Sequence, residues 1–422
     1  AKLVVIDPNY TSIASKADLY VSCRPGSDPA LILSLIQVII AEELYDRQYV
    51  LDHTVGPFLV REDTKKFLRM SDLGVEPTEG PPDARGNPTV IDPAAVWDEA
   101  QGAAVPVGEV SEPALFGTFE TNGFTVRPAF ALLKEEADNY APESASDLTE
   151  VDPQIIRQLA QLASEKPVAN LAGFGPQAYD NGVMVGHALG ALAGITGNIG
   201  ISGGTTGYLW QTYAGINYNV MFPTFEFGPR VPNLALREVV KSGEFQGQPF
   251  PIKSLFVSYG NPFSNYVNQK ELLEEVLPKL DLVVVSEMAY TTTARYADIV
   301  LPVPHWFEEE DIGSANAQHP FVQFAEKCIE PPGECKRDSE IFRLLAEQMG
   351  IGEYFSMSDE EYINEVLNTP YSAEIGLNYQ SLREQGAIRV WKDDPFIPFA
   401  GGTFPTASGR MEFYVENPTP RV

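Results

Sequence analysis

Nineteen residues of this chain occur twice. Residues 3–21 read LVVIDPNYTSIASKADLYV and residues 283–301 read VVVSEMAYTTTARYADIVL, an offset of 280 with no gap and seven of 19 positions identical. Each copy is an apolar run, an acid where that run ends (Asp7 or Glu287), a Thr-containing turn, then Ala-Asp before a second apolar run. Short apolar runs bounded by turn residues signal buried strands. Each copy therefore predicts strand, turn, strand, with its acid at the carboxyl end of the first strand. No other feature constrains the fold as strongly, because it demands two related units far apart in one chain.

In an open α/β sheet, ligands sit beyond the carboxyl ends of the strands. An acid there accepts hydrogen bonds from ribose hydroxyls. A second carboxylate accepts both N1–H and the N2 amine of guanine, donors that adenine does not present together. Asp28, in the turn Arg24-Pro25-Gly26-Ser27-Asp28, is placed for that role or, equally, for capping a helix that starts at Pro29. Two copies of the unit imply two nucleotide sites related by a pseudo-twofold axis. A flavin or nicotinamide site would need G-x-G-x-x-G after the first strand, where Asp7-Pro8-Asn9 stands instead.

Strand and helix signals alternate along the rest of the chain. Helical patterns cover Ala30–Glu42, Asp46–Asp52, Pro153–Ser164 (with Asp152 as N-cap) and Asn181–Ile195, and strands are read at Val168–Ala172, Ser254–Val257 and Leu282–Val285. The fold class is α/β: two related doubly wound domains with mainly parallel sheets, plus a hairpin-rich insertion. The partition is 1–57 as the first nucleotide-binding unit, 58–127 as the Pro- and Gly-rich insertion, and 128–253 as a central region with glycine-rich loops. Residues 254–403 form the second nucleotide-binding unit and 404–422 lead into a further domain. Because residues 1–6 already read as a buried strand, the expectation is a piece of a longer protein.

Composition removes several classes. The formal charge of −29 argues against nucleic acid or an anionic membrane as the main partner. No apolar run reaches the ~18 residues of a spanning helix. Cys23, Cys328 and Cys335 contain no C-x-x-C and are too few for a four-thiolate cluster or zinc site within these residues. Cys23 reads as a buried structural thiol and His187 as a core histidine. His305 and Trp306, with the run Glu308–Asp311, read as a solvated acidic loop in preference to a group beside a reacting centre.

The ordered motifs carry a resemblance. Ile6-Asp7-Pro8, Ala17-Asp18, Arg24–Leu31, Thr196-Gly197-Asn198-Ile199-Gly200 with Gly203-Gly204, Tyr290–Pro302 and Thr406–Glu412 together resemble the molybdopterin oxidoreductases of the dimethyl sulfoxide reductase superfamily. The segments Gly56–Thr64, Phe67–Arg69, Val96–Glu99 and Gly117–Tyr140 are similar to the branch of acetylene hydratase-like proteins and catechol dehydroxylases.

That resemblance implies two α/β domains, each holding the guanosine end of one molybdopterin guanine dinucleotide, with molybdenum or tungsten between the pterins. It implies Asp7 and Asp28 for one nucleotide and Ser286, Glu287, Thr293 and Asp298 for the other. Gly173, Gly175, Asn198, Gly200, Gly260 and Asn261 would be loop approaches to phosphates or pterins. The metal ligand, and a [4Fe-4S] cluster in many members, would precede residue 1, so no catalytic or metal-ligating residue is assigned here. The implied activity is oxygen-atom transfer or reductive dehydroxylation of a small molecule in anaerobic respiration. The implied partner is an iron–sulfur electron-transfer protein, on either the periplasmic or the cytoplasmic side of a prokaryotic membrane complex. A non-redox hydratase on the same cofactor and a cofactor-free structural subunit of a respiratory complex are the alternatives. The second predicts decay of the nucleotide acids, yet Asp7, Asp28 and Asp298 are present.

Overall fold

The helix Asp28–Ala41 buries Leu31, Ile32, Leu35, Ile36, Val38, Ile39 and Ile40. Apolar residues on nearly every face require neighbours on every side. In the computed structural model of the chain these neighbours are the helices Ala129–Asp138, Pro142–Thr149, Pro153–Ser164 and Gly182–Ile195. Burying each such side chain contributes about 2 kcal/mol. The structure describes all residues except 82–87, 208–215, 218–219, 221–227, 315–318, 391–396 and 418–422. The end of the 404–422 lead-in segment thus lies outside the described residues.

The chain forms two units, Ala1–Trp210 with Asp393–Val422, and Gln211–Lys392. In the first, strand Val4–Ile6 pairs in parallel with Leu19–Val21, and Ala169–Leu171 pairs in parallel with Thr205–Gly207. The insertion is antiparallel throughout: Leu59–Arg61 against Phe124–Pro128, Phe119–Thr121 against the same strand, and Ala95–Asp98 against Ala103–Pro106. Asp98 anchors it. Its fully buried carboxylate accepts from Ser111 N–H and Oγ, Gln101 Nε2 and Ala100 N–H, which holds its pKa well below the usual carboxylate range. The segment around Met411 returns to this unit, where Met411 N–H donates to His53 and its carbonyl accepts from Val55. A Cβ at Gly194 would stand 2.6 Å from Met411 Sδ, so only glycine lets that strand seat on the helix.

In the second unit, Ser254–Ser258, Leu282–Glu287 and Ile299–Pro302 form a parallel sheet with Leu282–Glu287 in the middle. An antiparallel sheet of Asp311–Ser314, Phe321–Ala325 and Ala387–Arg389 packs with helix Tyr379–Gln385 around Val322, Leu382 and Ile388. The parallel pairs thus lie in the two repeats and the central region, and the antiparallel pairs in the insertion, in the short hairpin Glu244–Phe245 with Gln248–Pro249, and in the distal half of the second unit.

The repeat folds to one bonding pattern. Val4 pairs with Leu19 and Val284 with Ile299, the same register at an offset of 280. Asp18 accepts from Leu3 N–H at 2.7 Å, and Asp298 accepts from Val283 N–H at 2.8 Å. Thr11 Oγ1 accepts from Ala14 N–H, and Thr291 Oγ1 from Ala294 N–H, both at 3.3 Å. The shared Thr and Ala-Asp are therefore explained by local geometry: the Thr closes the turn and the Asp ties the second strand back to the first.

Candidate functional site

At the carboxyl end of the first repeat lies a cleft of 440 Å³. Asp7, Cys23, Pro25, Asp28, Gly173 and Gly175 are among its walls. The two acids thus meet the glycine loop from about 150 residues away, beyond the carboxyl ends of a parallel strand pair, where the fold rule expects a ligand. The loop is tied down beside it. Asn181 Nδ2 donates to the Gly26 carbonyl at 2.8 Å, and the Tyr179 ring lies 3.7 Å from where a Cβ on Gly26 (φ +80°) would stand.

Asp28 is the first residue of its helix, with Ser27 in the capping position, so its carboxylate is not the cap. Burial pushes its carboxyl pKa up, its own backbone N–H opposes that, and the charge on Asp7 pushes it up further. Among the described residues no Lys, Arg or His forms an ion pair with Asp7 or Asp28; Arg24, beside them in sequence, pairs with Glu150. Asp7 accepts from Asn9 N–H at 2.8 Å, and both half-buried carboxylates keep acceptor capacity open to solvent or to a ligand that brings donors. Cys23 is buried there, and burial with the Asp28 and Asp7 charges pushes its thiol up to about 11, which suits a structural thiol. A Cβ on Gly173 or Gly175 would meet nothing within 4 Å, so their small size leaves open space along the cleft wall.

The second repeat presents a different edge. Glu287 ends its strand as Asp7 follows its own, and one Glu287 oxygen accepts from Met288 N–H at 2.8 Å. Gly260 has only ordinary contacts around a would-be Cβ, the nearest at 3.8 Å. The other expected contacts have internal partners. Ser286 is buried and donates to Asp338 Oδ1 at 2.8 Å. Thr293 is fully buried. Its hydroxyl donates to Asn261 Oδ1 at 2.7 Å and accepts from Phe263 N–H at 3.1 Å. Asp298 sits at the amino end of its sheet, away from Glu287, bound to Val283 N–H. Asn261, Ser286, Thr293 and Asp298, expected from sequence to face a ligand, each have an internal hydrogen-bond partner.

The central loop is likewise bonded within the protein. Asn198 is fully buried; its Oδ1 accepts from Val168 N–H at 2.9 Å and its Nδ2 donates to Thr196 Oγ1. Gly200 (φ +80°) lies where a Cβ would stand 2.8 Å from the Phe399 carbonyl oxygen, so it is required for packing. His187 is exposed on its helix, not in the core. The acidic run is engaged, not merely solvated: Glu309 pairs with Arg337 at 2.9 Å, and Glu310 accepts from the Tyr379 hydroxyl at 2.8 Å. Sequence reasoning missed Tyr179, which seals one side of the cleft, and Tyr259, at the edge of the second sheet. A lone Tyr in a loop carries no signal for either position.

The chain is thus built around a repeated strand–turn–strand unit, with an acidic, glycine-walled cleft at the carboxyl ends of the first unit's parallel strands. A family model described as molybdopterin oxidoreductase matches residues 1–348. The chain belongs to the molybdopterin oxidoreductase family. It is 28% identical over 432 residues to the putative catalytic polypeptide of a dimethyl sulfoxide reductase of Halobacterium salinarum, covering 98% of this chain and 47% of that protein. It is 28% identical over 517 residues to the alpha polypeptide of the perchlorate reductase of Dechloromonas aromatica, covering 99% and 55%. The acetylene hydratase of Pelobacter acetylenicus has the same fold, with a TM-score of 0.65 at 24% identity over 98% of this chain and 51% of that one. The chain spans about half the length of the curated relatives it matches.

Proposed function

We propose that this chain is the cofactor-holding part of a molybdenum or tungsten enzyme that carries bis-molybdopterin guanine dinucleotide and reduces a small molecule by oxygen-atom transfer or dehydroxylation. The observation that carries the reading is the cleft in which Asp7 and Asp28 stand together with no counter-cation among the described residues. The two carboxylates and the open space at Gly173 and Gly175 fit a guanosine diphosphate moiety. When bound, the pterin-held metal supplies the two-electron chemistry.

This chain's own residues bind and orient. Asp28 accepts from guanine N1–H and the N2 amine, and Asp7 from ribose hydroxyls. Gly173 and Gly175 let backbone N–H groups approach the phosphates. Glu287 and Gly260 take the corresponding places at the second repeat. Among the described residues no cluster of three His, Cys, Asp or Glu side chains is arranged to hold a metal ion. In this reading the metal ligand and a [4Fe-4S] cluster belong to a segment ahead of residue 1. The partner is an iron–sulfur electron-transfer protein, in keeping with relatives named as alpha subunits. No helix of the described residues is long and apolar enough to cross a membrane.

The test is the metal and guanine content of the purified full-length enzyme carrying Asp28→Asn. Replacing one acceptor by a donor sets two N–H groups against each other, so both contents are expected to fall. Unchanged content overturns the assignment of Asp28.

A further inference from the structure

Tyr259 follows the strand Ser254–Ser258 and has φ +64°, the left-handed region that side chains with a Cβ adopt only at a cost. Its ring is 97% exposed. Among the described residues the side chain makes no hydrogen bond or ring contact that would offset the cost. The loop nevertheless holds it in place. Pro262 follows two residues after Gly260, and the Asn261 side chain accepts from both the backbone N–H and the hydroxyl of Thr293. The last paired residues of the two strands are Ser258 and Ser286, so Tyr259 and Glu287 stand side by side at the carboxyl edge. Glu287 has one oxygen on Met288 N–H and forms no ion pair among the described residues.

We propose that the Tyr259 ring is one wall of the guanine slot at the second repeat, stacking on the base while Glu287 accepts from the guanosine's donors. This rests on the cofactor reading given above and deepens it. A flat aromatic face beside an acceptor matches a purine that offers both a π-face and N–H donors. A held, strained conformation with no internal partner marks a position whose gain comes on ligand binding.

The test uses the full-length enzyme freed of its cofactor, with Asp28→Asn as background so that the first cleft is weakened, and guanosine diphosphate as probe, read by equilibrium dialysis beside adenosine diphosphate. Guanosine diphosphate is expected to bind saturably and more tightly than adenosine diphosphate. Tyr259→Ala weakens it about tenfold, the loss typical of a base-stacking aromatic, and Tyr259→Phe restores it to within about twofold. Tyr259→Gly weakens binding like Tyr259→Ala, yet raises the melting temperature of the ligand-free chain by about 2 °C, because glycine accepts the positive φ. A merely structural tyrosine would not separate those two readouts. Unchanged binding in Tyr259→Ala, with Glu287→Gln weakened, overturns the stacking role and leaves the cofactor reading standing. No saturable binding, or equal binding of the two nucleotides, overturns both for this repeat.

Discussion

At residue 13 the first repeat carries an isoleucine that is 62% exposed; at the matching residue 293 the second carries a fully buried threonine. Around these positions the two copies share register, turn and strand clamp to within about a tenth of an ångström in the bonds compared. The difference lies in what each copy packs against. In the second copy the turn is locked onto the Gly260-Asn261-Pro262 loop through Thr293. In the first, the corresponding turn faces solvent, and the acids beyond the strand ends open into a cleft. One local motif therefore meets two surroundings: a loop that it supports in one unit and an acid-lined cleft in the other. Its identical residues preserve the strand pair and the differing ones decide the use.

This comparison can be broken by substitution. The largest effect is expected for Thr293→Val, which leaves the buried Phe263 N–H without a partner, removes one of the two bonds to the Asn261 amide oxygen, and destabilises the second unit by about 2–3 kcal/mol in urea titrations. Ile13→Thr at the matching site should change stability by no more than about 0.5 kcal/mol. Equal effects at the two sites would mean that the turns are packed alike. Next come the clamps. Asp298→Ala is expected to lose about 2 kcal/mol and Asp18→Ala about 1 kcal/mol, because the second bond is more protected from water than the first. A loss of cofactor in Asp298→Ala without loss of stability would return that residue to the ligand-binding set.

The third effect sharpens the difference between the edges. In the full-length enzyme, Asp28→Asn should reduce bound guanine by about tenfold, whereas Ser286→Ala should act through folding alone, since Ser286 faces Asp338. Guanine and metal analysis beside thermal melts separates the two.

The smallest effect is in pH. The Asp28 pKa is raised in the native chain, so the native state holds this proton more tightly than the unfolded state. Its contribution to ligand-free stability therefore improves as pH falls through the raised value. Asp28→Asn should stabilise the ligand-free chain slightly at pH 7, with the advantage gone below about pH 4. Asp98 runs the other way. Its lowered pKa gives stability that is present above about pH 4 and lost on further acidification. In acid melts the insertion should therefore weaken while the Asp28 cleft does not. A chain whose acid sensitivity survives Asp98→Asn unchanged would contradict this.

Much of the fold was legible in sequence because its signals are local. Asp152 caps Pro153–Ser164 by accepting from Gln154 N–H, and the strand ends at Ile6 and Glu287 fall where the apolar runs stop. The helix Asp28–Ala41 starts two residues before the periodicity does, because Asp28 and Pro29 fit a first turn as well as they fit a loop. In the glycine-rich loop after residue 195 the backbone crowds Gly200 and Gly204, which sequence does not reveal, since a glycine that a backbone crowds and a glycine that a ligand approaches look the same in sequence.

By itself the sequence determined that two strand–turn–strand units exist, where their acids fall, and which family the motifs resemble. Those properties depend on residue order over some twenty positions. Only the tertiary structure decided how the polar groups are partnered. Among the described residues Asp7 and Asp28 meet no cation, whereas Asn198, Asn261, Ser286 and Thr293 are bonded within the protein. The physical reason is that a buried polar group must find a partner. Whether that partner is protein or ligand is settled by which distant segments fold against it.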